Sequence, residues 1–136
     1  MNNKRIKIIF LIGLIGACLT TIYFALRARK KLEQNHLITI GKIKSCNSAG
    51  RGSGGKLSLD YNITLNEKKY NSSTSYLTSE FTCRLARNYF VGKTFPAVYY
   101  PPDPSISTLM IVPSDFEHFG YPYPDSLNWV LKYYKK

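Results

Sequence analysis

An unbroken apolar run near the start of the chain is followed by a long stretch in which apolar and polar residues alternate. Residues 8–26 carry no charge, and eleven of these 19 positions are Ile, Leu or Phe. In a helix, 19 residues span about 28 Å, close to the hydrocarbon thickness of a bilayer. The pattern therefore predicts a transmembrane helix over residues 8–26.

Basic residues flank both ends of this run and no acidic residue lies among residues 1–31. The seven are Lys4, Arg5, Lys7, Arg27, Arg29, Lys30 and Lys31. They define a short basic tail (1–7) and a basic juxtamembrane linker (27–36). A cleaved signal peptide has a shorter apolar stretch and a small-residue cleavage site, so the pattern favours an uncleaved, single-pass anchor.

Cys18 leaves a second processing route open. Residues 14–18 (LIGAC) resemble a bacterial lipobox, with basic residues upstream and small residues before the cysteine. Lipidation there would remove residues 1–17 and leave Cys18 as the anchor.

The sequence also leaves open on which side of the membrane the folded domain lies. The basic excess after the helix favours a cytoplasmic domain, whereas two cysteines in the domain favour the opposite side.

The pattern changes to period two after the linker. Residues 57–65 place five apolar residues on one face, as in a half-buried antiparallel strand. Further strands are predicted at 37–45, with a bulge or bend at Gly41, and at 69–76, 94–100 and 106–112. The Gly/Ser-rich residues 47–56 predict a mobile loop. Together these strands make a small β domain over residues 37–112.

Two short helices interrupt or follow the strands. Thr78 or Ser79 can cap a helix that ends at Phe90. Asp125 can cap another within a Tyr/Pro-rich tail (113–136). The predicted fold is mainly β: an N-terminal transmembrane α-helix, then a small antiparallel β-barrel or sandwich with one inserted helix and a short C-terminal helix.

The charge distribution narrows the range of partners. The chain of 136 residues has a formal net charge of +11, but residues 32–136 contain twelve basic and eight acidic residues. A surplus of four basic residues over a whole domain gives too little positive charge to bind a phosphate backbone strongly. We therefore expect no nucleic-acid partner. The expected partners are the lipid bilayer and a membrane protein of unknown identity.

One stretch of the β domain follows a recognisable pattern. It comprises residues 41–45 (GKIKS), 61–64 (YNIT), 66–70 (NEKKY), 91–93 (VGK), 98–105 (VYYPPDPS) and 108–109 (TL). This pattern resembles domain-of-unknown-function family 3592, a small β domain of membrane-anchored bacterial proteins. The resemblance covers about half of the chain. It implies membrane anchoring and a β fold, and no activity.

The sequence offers few residues that could form a catalytic or metal-binding site. Asp115, Glu117 and His118 could form an acid/base or metal site, but a solvated loop is the favoured interpretation. Two histidines in all exclude a multi-histidine metal site, and no nucleophile elbow, P-loop or dinucleotide motif occurs. We therefore expect no enzyme activity, cofactor or metal.

The remaining candidates are cysteines and aromatic residues. Cys46 and Cys83 could form a disulfide, or they could be two small buried residues. Tyrosines are dense from residue 99 onward, and we expect their rings to cover one end of the barrel. A second hypothesis places Trp129 and Tyr133 at lipid headgroups beside Lys135 and Lys136.

Overall fold

A long N-terminal helix leads directly into a five-stranded sheet in the computed structural model, which describes residues 3–49 and 55–134. The helix α1 covers Asn3–Gln34. Among the residues described, it is the one helix long and apolar enough to cross a membrane, with a mean hydropathy of 2.3 over its most apolar window. A membrane span and a signal sequence both satisfy this criterion.

The strands form one antiparallel sheet in the order β3-β2-β1-β4-β5, so β1 is central and β3 and β5 are the two edges. The strands are β1 (Leu37–Ala49), β2 (Lys56–Leu65), β3 (Lys68–Leu77), β4 (Thr94–Tyr100) and β5 (Asp103–Leu109). The sheet curls until its two edges lie side by side, giving a nearly closed barrel. The predicted mainly β fold class is confirmed.

Strand β2 has the alternation that its sequence predicts. Leu57, Leu59, Tyr61 and Ile63 are all buried, with partly exposed residues between them. A two-residue turn at Asn66 and Glu67 then reverses the chain. Both residues have positive φ, as a type I′ hairpin turn requires.

Strand β1 differs from its prediction in the position of the bulge. The register shift lies between Ile43 and Ser45, not at Gly41. Gly41 serves another purpose, because a Cβ there would lie 2.6 Å from Cδ2 of Leu109 and 3.1 Å from Cδ2 of Tyr61. The glycine thus allows side chains from two other strands to pass close to the backbone of β1. The predicted Gly/Ser loop (47–56) is shorter than expected, because residues 47–49 belong to β1 and Lys56 begins β2. Residues 50–54 of the predicted loop lie outside the described residues.

The inserted helix starts later than predicted. Helix α2 covers Cys83–Tyr89, and its cap is Thr82, whose hydroxyl accepts a hydrogen bond from the Leu85 amide at 3.3 Å. The prediction of a cap at Thr78 or Ser79 was wrong because the chain makes a turn there first. The Thr78 amide donates to the Gly55 carbonyl, and Glu80 accepts from the Leu77 amide.

The end of the chain contains one more helix than predicted. Strand β5 ends at Leu109 rather than at residue 112, and helix α3 (Pro113–His118) follows. A 3₁₀ helix then covers Asp125–Lys132. Pro124, not Asp125, holds the capping position, so the predicted cap was wrong. Leu127 and Val130 of this helix are buried, whereas Leu131 is exposed.

Helix α1 is packed onto the domain instead of being separated from it by a linker. The helix continues through the predicted linker as far as Gln34. Leu32 is only 5% exposed and belongs to the domain core. Lys31 lies over the ring of Tyr100, with its Nζ 5.6 Å from the ring centroid. The last two turns of α1 are therefore part of the folded domain.

Candidate functional site

A groove of about 680 Å³ lies where the two edges of the sheet approach each other. One side is formed by β3, the other by β5, and the ends of α1 and α3 flank the opening. Ligand pockets commonly enclose about 300–1,000 Å³, so the groove is large enough for a small molecule or a short segment of polypeptide.

Hydroxyl groups dominate the two edges of the groove. Ser73 and Ser75 come from β3, and Ser105, Ser107 and Thr108 come from β5. The apolar part of the lining is supplied mainly by Leu32 of α1, Ile106 of β5 and Phe119, which directly follows α3. Such a surface offers many neutral hydrogen-bonding groups beside a small apolar wall.

Side chains rather than backbone ladders connect the two edges. The Thr74 hydroxyl lies 3.1 Å from the Thr108 hydroxyl and accepts a hydrogen bond from the Leu109 amide at 3.0 Å. Inside the barrel, the Tyr61 hydroxyl lies 2.9 Å from the Ser107 hydroxyl. These contacts hold β3 and β5 near each other while leaving much of their edges unpaired.

Asp115 lies at one end of the groove with one carboxylate oxygen fully engaged. Its Oδ2 accepts hydrogen bonds from the Tyr76 hydroxyl at 2.7 Å and from the Ile111 and Val112 amides at 2.9 and 3.0 Å. Burial raises the pKa of Asp115, and the two backbone hydrogen bonds act in the opposite direction. Burial and the neighbouring carboxylate also raise the pKa of Tyr76 well above its ordinary value. The role of this carboxylate is to position α3.

His118 and Glu33 connect α3 to α1. The His118 Nε2 lies 3.0 Å from the Glu33 carboxylate, which also accepts from Arg29 at 3.1 Å. His36 adds a second contact, because its ring packs edge-on against Phe119 with centroids 5.1 Å apart. These pairs are partly exposed and hold the helix against one wall of the groove.

The predicted acid/base set is only partly assembled. Asp115 and His118 both line the groove, whereas Glu117 is exposed and lies outside its lining. The predicted solvated loop was wrong for Asp115, since this half-buried, hydrogen-bonded carboxylate lies in the first turn of a helix. Among the residues described, no three His, Cys, Asp or Glu side chains gather in a way that could hold a metal ion.

Cys46 and Cys83 are joined as a disulfide, with their Cα atoms 5.6 Å apart. The bridge connects β1 to the first residue of α2, and both cysteines are buried. Arg87 adds a second connection between the same elements, since its guanidinium donates to the Cys46 carbonyl at 3.0 and 3.3 Å. Cys18, the third cysteine, lies in the apolar part of α1.

The aromatic rings of the tail pack within the domain. Trp129 contacts the rings of Phe90 and Phe95, and the Lys93 ammonium lies 4.2 Å from the centroid of the Trp129 ring system. Tyr133 stacks on Tyr89 at 4.5 Å. These contacts agree with rings that cover the barrel and argue against a headgroup role for Trp129 and Tyr133. Lys135 and Lys136 lie outside the described residues.

Sequence reasoning missed the hydroxyl groove. A signal was present in residues 71–75 (NSSTS), a run with no apolar residue inside a predicted strand. A strand that packs one face on a core normally places an apolar residue at every second position. The exception marked a strand whose residues on both faces line a polar opening.

Comparison of the chain with protein-family models, with curated proteins and with solved structures finds no match in any of the three. The resemblance to family 3592 therefore stays a prediction.

Proposed function

We propose that this chain is a single-pass membrane protein whose β domain binds a partner non-catalytically through the groove between β3 and β5. The observation that carries the proposal is the continuity of α1. One helix contains both the apolar run and Leu32, which is buried in the domain beside the groove. A bilayer around the first part of α1 would thus hold the binding groove close to the membrane surface.

Membrane anchoring is supported by the exposed apolar surface of α1. Large side chains from Ile8 to Leu26 are more than half exposed, and no described part of the domain covers them. Soluble proteins rarely leave an apolar surface of this length in water. Lipid is the solvent that would cover it on all sides. The resemblance to family 3592 implies the same anchoring.

The disulfide supports a domain on the oxidising side of the membrane. Disulfides persist in extracytoplasmic compartments, whereas cytosolic thiols are kept reduced. Three basic residues precede the apolar run and four follow it closely, so the charge rule opposes this orientation only weakly. We propose that residues 1–7 are cytoplasmic and that the β domain is external.

Labelling of an engineered cysteine tests this orientation. Thr64 is exposed on β2 and lies outside the groove, so Thr64→Cys in a Cys18→Ser background presents one free thiol on the domain. A membrane-impermeant maleimide should label this thiol in intact cells. Labelling only after the membrane is permeabilised would show that the domain is internal.

Binding rather than catalysis is supported by the state of the charged groups in the groove. Asp115 already accepts three hydrogen bonds, and His118 is paired with Glu33. The side chains left to meet a ligand are mainly hydroxyls, which orient a partner but transfer protons poorly near neutral pH. The rival function, an enzyme that uses Asp115, Glu117 and His118, would need Glu117 to turn into the groove.

A photo-crosslinking amino acid placed in the groove tests the binding site. The full chain carries the crosslinker at Ser75 or, as a control, at Thr64, and it is irradiated in its native membrane. We expect an adduct of defined mass from position 75 and none from position 64. Equal adducts from both positions, or none from either, would contradict a binding groove.

A further inference from the structure

The two histidines of the chain meet on one aromatic ring. His36 follows α1 and His118 ends α3, yet both rings pack edge-on against Phe119. The centroid of the Phe119 ring lies 5.1 Å from that of His36 and 4.9 Å from that of His118. Phe119 and His118 also line the groove. This histidine junction, formed by His36, His118 and Phe119, therefore connects α1 to α3 at the opening of the groove.

Each imidazole of the junction also makes a polar contact with α1 that a positive charge on the ring strengthens. The His118 Nε2 lies 3.0 Å from the Glu33 carboxylate. The His36 Nδ1 lies 2.9 Å from the Leu32 carbonyl oxygen, in the last turn of α1. The C-terminal end of a helix carries partial negative charge, which favours a protonated His36 at this position. A protonated imidazole donates from both nitrogens, so both contacts become charge-assisted hydrogen bonds.

Cations on α1 lie near the junction but do not reverse this preference. Arg29 donates to the same Glu33 oxygen at 3.1 Å, so it shares the carboxylate with His118. Tyr121 packs against the His36 ring at 5.8 Å, and the nearest cation before His36 in sequence is Lys31, whose ammonium lies over the Tyr100 ring. Repulsion between these cations and the charged rings is screened by water and salt, because the side chains are partly exposed.

The other groups around the groove favour a positive imidazole or are neutral. Three acidic side chains attract it, namely Glu80 in the groove lining and Asp115 and Glu117 on α3. Within the described part of the chain, β3 and β5 contribute hydroxyl groups, apolar side chains and Tyr76 to the lining, and no charged side chain. The raised pKa of Tyr76 keeps its hydroxyl neutral. The balance of charge therefore favours protonation of the junction in its closed form.

We infer that protonation of His36 and His118 narrows the opening of the groove by holding α3 against α1, so that pH controls access to the groove. The inference rests on the proposed function and specifies its regulation. Histidine is the side chain whose charge ordinarily changes between pH 5 and pH 8. At pH 5.5 the charged rings stabilise the closed junction. At pH 8 the two histidines make only neutral contacts, and α3 moves away from α1 more often.

The size of the effect follows from the exposure of the contacts. The side chains of His118 and Glu33 are 41% and 39% exposed, so water weakens their attraction. An exposed ion pair, or a charge at a helix end, changes an equilibrium by about two- to fivefold. Because both histidines favour the same state, we expect the ratio of closed to open junctions to change about tenfold between pH 8 and pH 5.5.

Two spin labels measure the width of the opening without any ligand. The full chain in nanodiscs carries them at Lys30→Cys on α1 and Glu117→Cys on α3, in a Cys18→Ser background. Both positions are exposed and lie outside the groove lining. Electron paramagnetic resonance gives the distribution of distances between the labels at pH 5.5 and at pH 8. We expect a second, longer distance whose population, relative to the first, is about tenfold larger at pH 8.

Variants of the junction supply the controls, and each is first checked for a thermal transition like that of the labelled parent. The double variant His36→Gln, His118→Gln keeps a neutral hydrogen-bonding side chain at both positions and should abolish the pH response. Glu33→Gln should reduce the response, because His118 loses its charged partner. Asp115→Asn is the matched control, since it removes another titrating group of the groove and should leave the response intact.

Three results would overturn the inference: equal distance distributions at pH 5.5 and pH 8, a pH response that persists in the double glutamine variant, or a response that Asp115→Asn abolishes. The spin labels report on the junction alone, whereas the crosslinker at position 75 reports on binding. An adduct from position 75 without a pH response of the distance contradicts this inference and leaves the proposed function standing. A pH response without an adduct contradicts the proposed function instead.

Discussion

Glu67 adopts a backbone conformation that its side chain disfavours. Its φ is +66°, in the left-handed region, at the second position of the β2–β3 turn. Replacing it with glycine gives Asn-Gly, the preferred pair for a type I′ turn. We expect Glu67→Gly to raise the free energy of unfolding by about 0.5–1 kcal/mol, because relief of strain exceeds the added freedom of the unfolded chain.

Denaturant unfolding of the full chain in detergent measures this effect, with Glu67→Ala as the control. Alanine removes the charged side chain but keeps the Cβ that causes the strain, so its stability should stay near that of the wild type. A gain from alanine equal to the gain from glycine would show that charge, not backbone conformation, is responsible.

The partial burial of Asp115 predicts how the stability of the domain depends on pH. Burial raises its folded-state pKa above the ordinary 3.8, so the folded state binds this proton more tightly than the unfolded state. The stability contributed by this group is complete below pH 3.8 and is lost as the pH rises through the raised folded-state pKa. Above that pKa, the half-buried negative charge opposes folding.

Asp115→Asn should therefore be more stable than the wild type at pH 7, by about 3 °C in melting temperature. The amide oxygen can still accept from Tyr76, Ile111 and Val112, and no charge is buried. Melting curves of both proteins between pH 3 and pH 7 test this, since their other titrating groups are shared. A difference that does not grow with pH would contradict the assignment.

The connection between β1 and α2 depends on a covalent bond. Closing a segment with a sequence separation of 37 residues removes entropy from the unfolded chain, worth about 4 kcal/mol. We expect the double variant Cys46→Ala, Cys83→Ala to lose about this much free energy of unfolding. Cys18→Ser, which touches no part of the domain, is the control.

Thiol counting checks the same bond directly. Alkylation of the denatured, unreduced chain should modify one thiol, that of Cys18, and alkylation after reduction should modify three. Three modified thiols before reduction would show that the bridge is absent, and the argument for an external domain would fail with it.

The helices and strands differ in how completely their own residues determine where they begin and end. The alternation of β2 and the bounds of β4 follow from local patterns, and both match the structure. Helix α2 starts later than predicted because several Ser and Thr residues near its start can act as caps. Contacts with distant residues choose among them, as the bond from Thr78 to Gly55 shows.

The whole molecule should behave as an integral membrane protein. After detergent-free lysis and ultracentrifugation at alkaline pH, we expect the intact chain in the pellet, because about eleven large apolar residues of α1 would otherwise face water. Intact mass distinguishes the anchors: the full chain indicates α1 as a membrane span, and a lipid-modified product that begins at Cys18 indicates the lipoprotein route. Intact chain in the supernatant would contradict both.

The apolar run, the alternating strands and the absence of familiar catalytic motifs could all be read from neighbouring residues, because hydrophobic periodicity is a local property of the chain. The groove could not be predicted from neighbouring residues. It exists because the sheet curls until β3 and β5 meet, which brings residues 73–76 next to residues 105–109. Which main-chain groups remain unpaired there depends on strand register and on closure of the barrel, and both arise from packing across the whole domain.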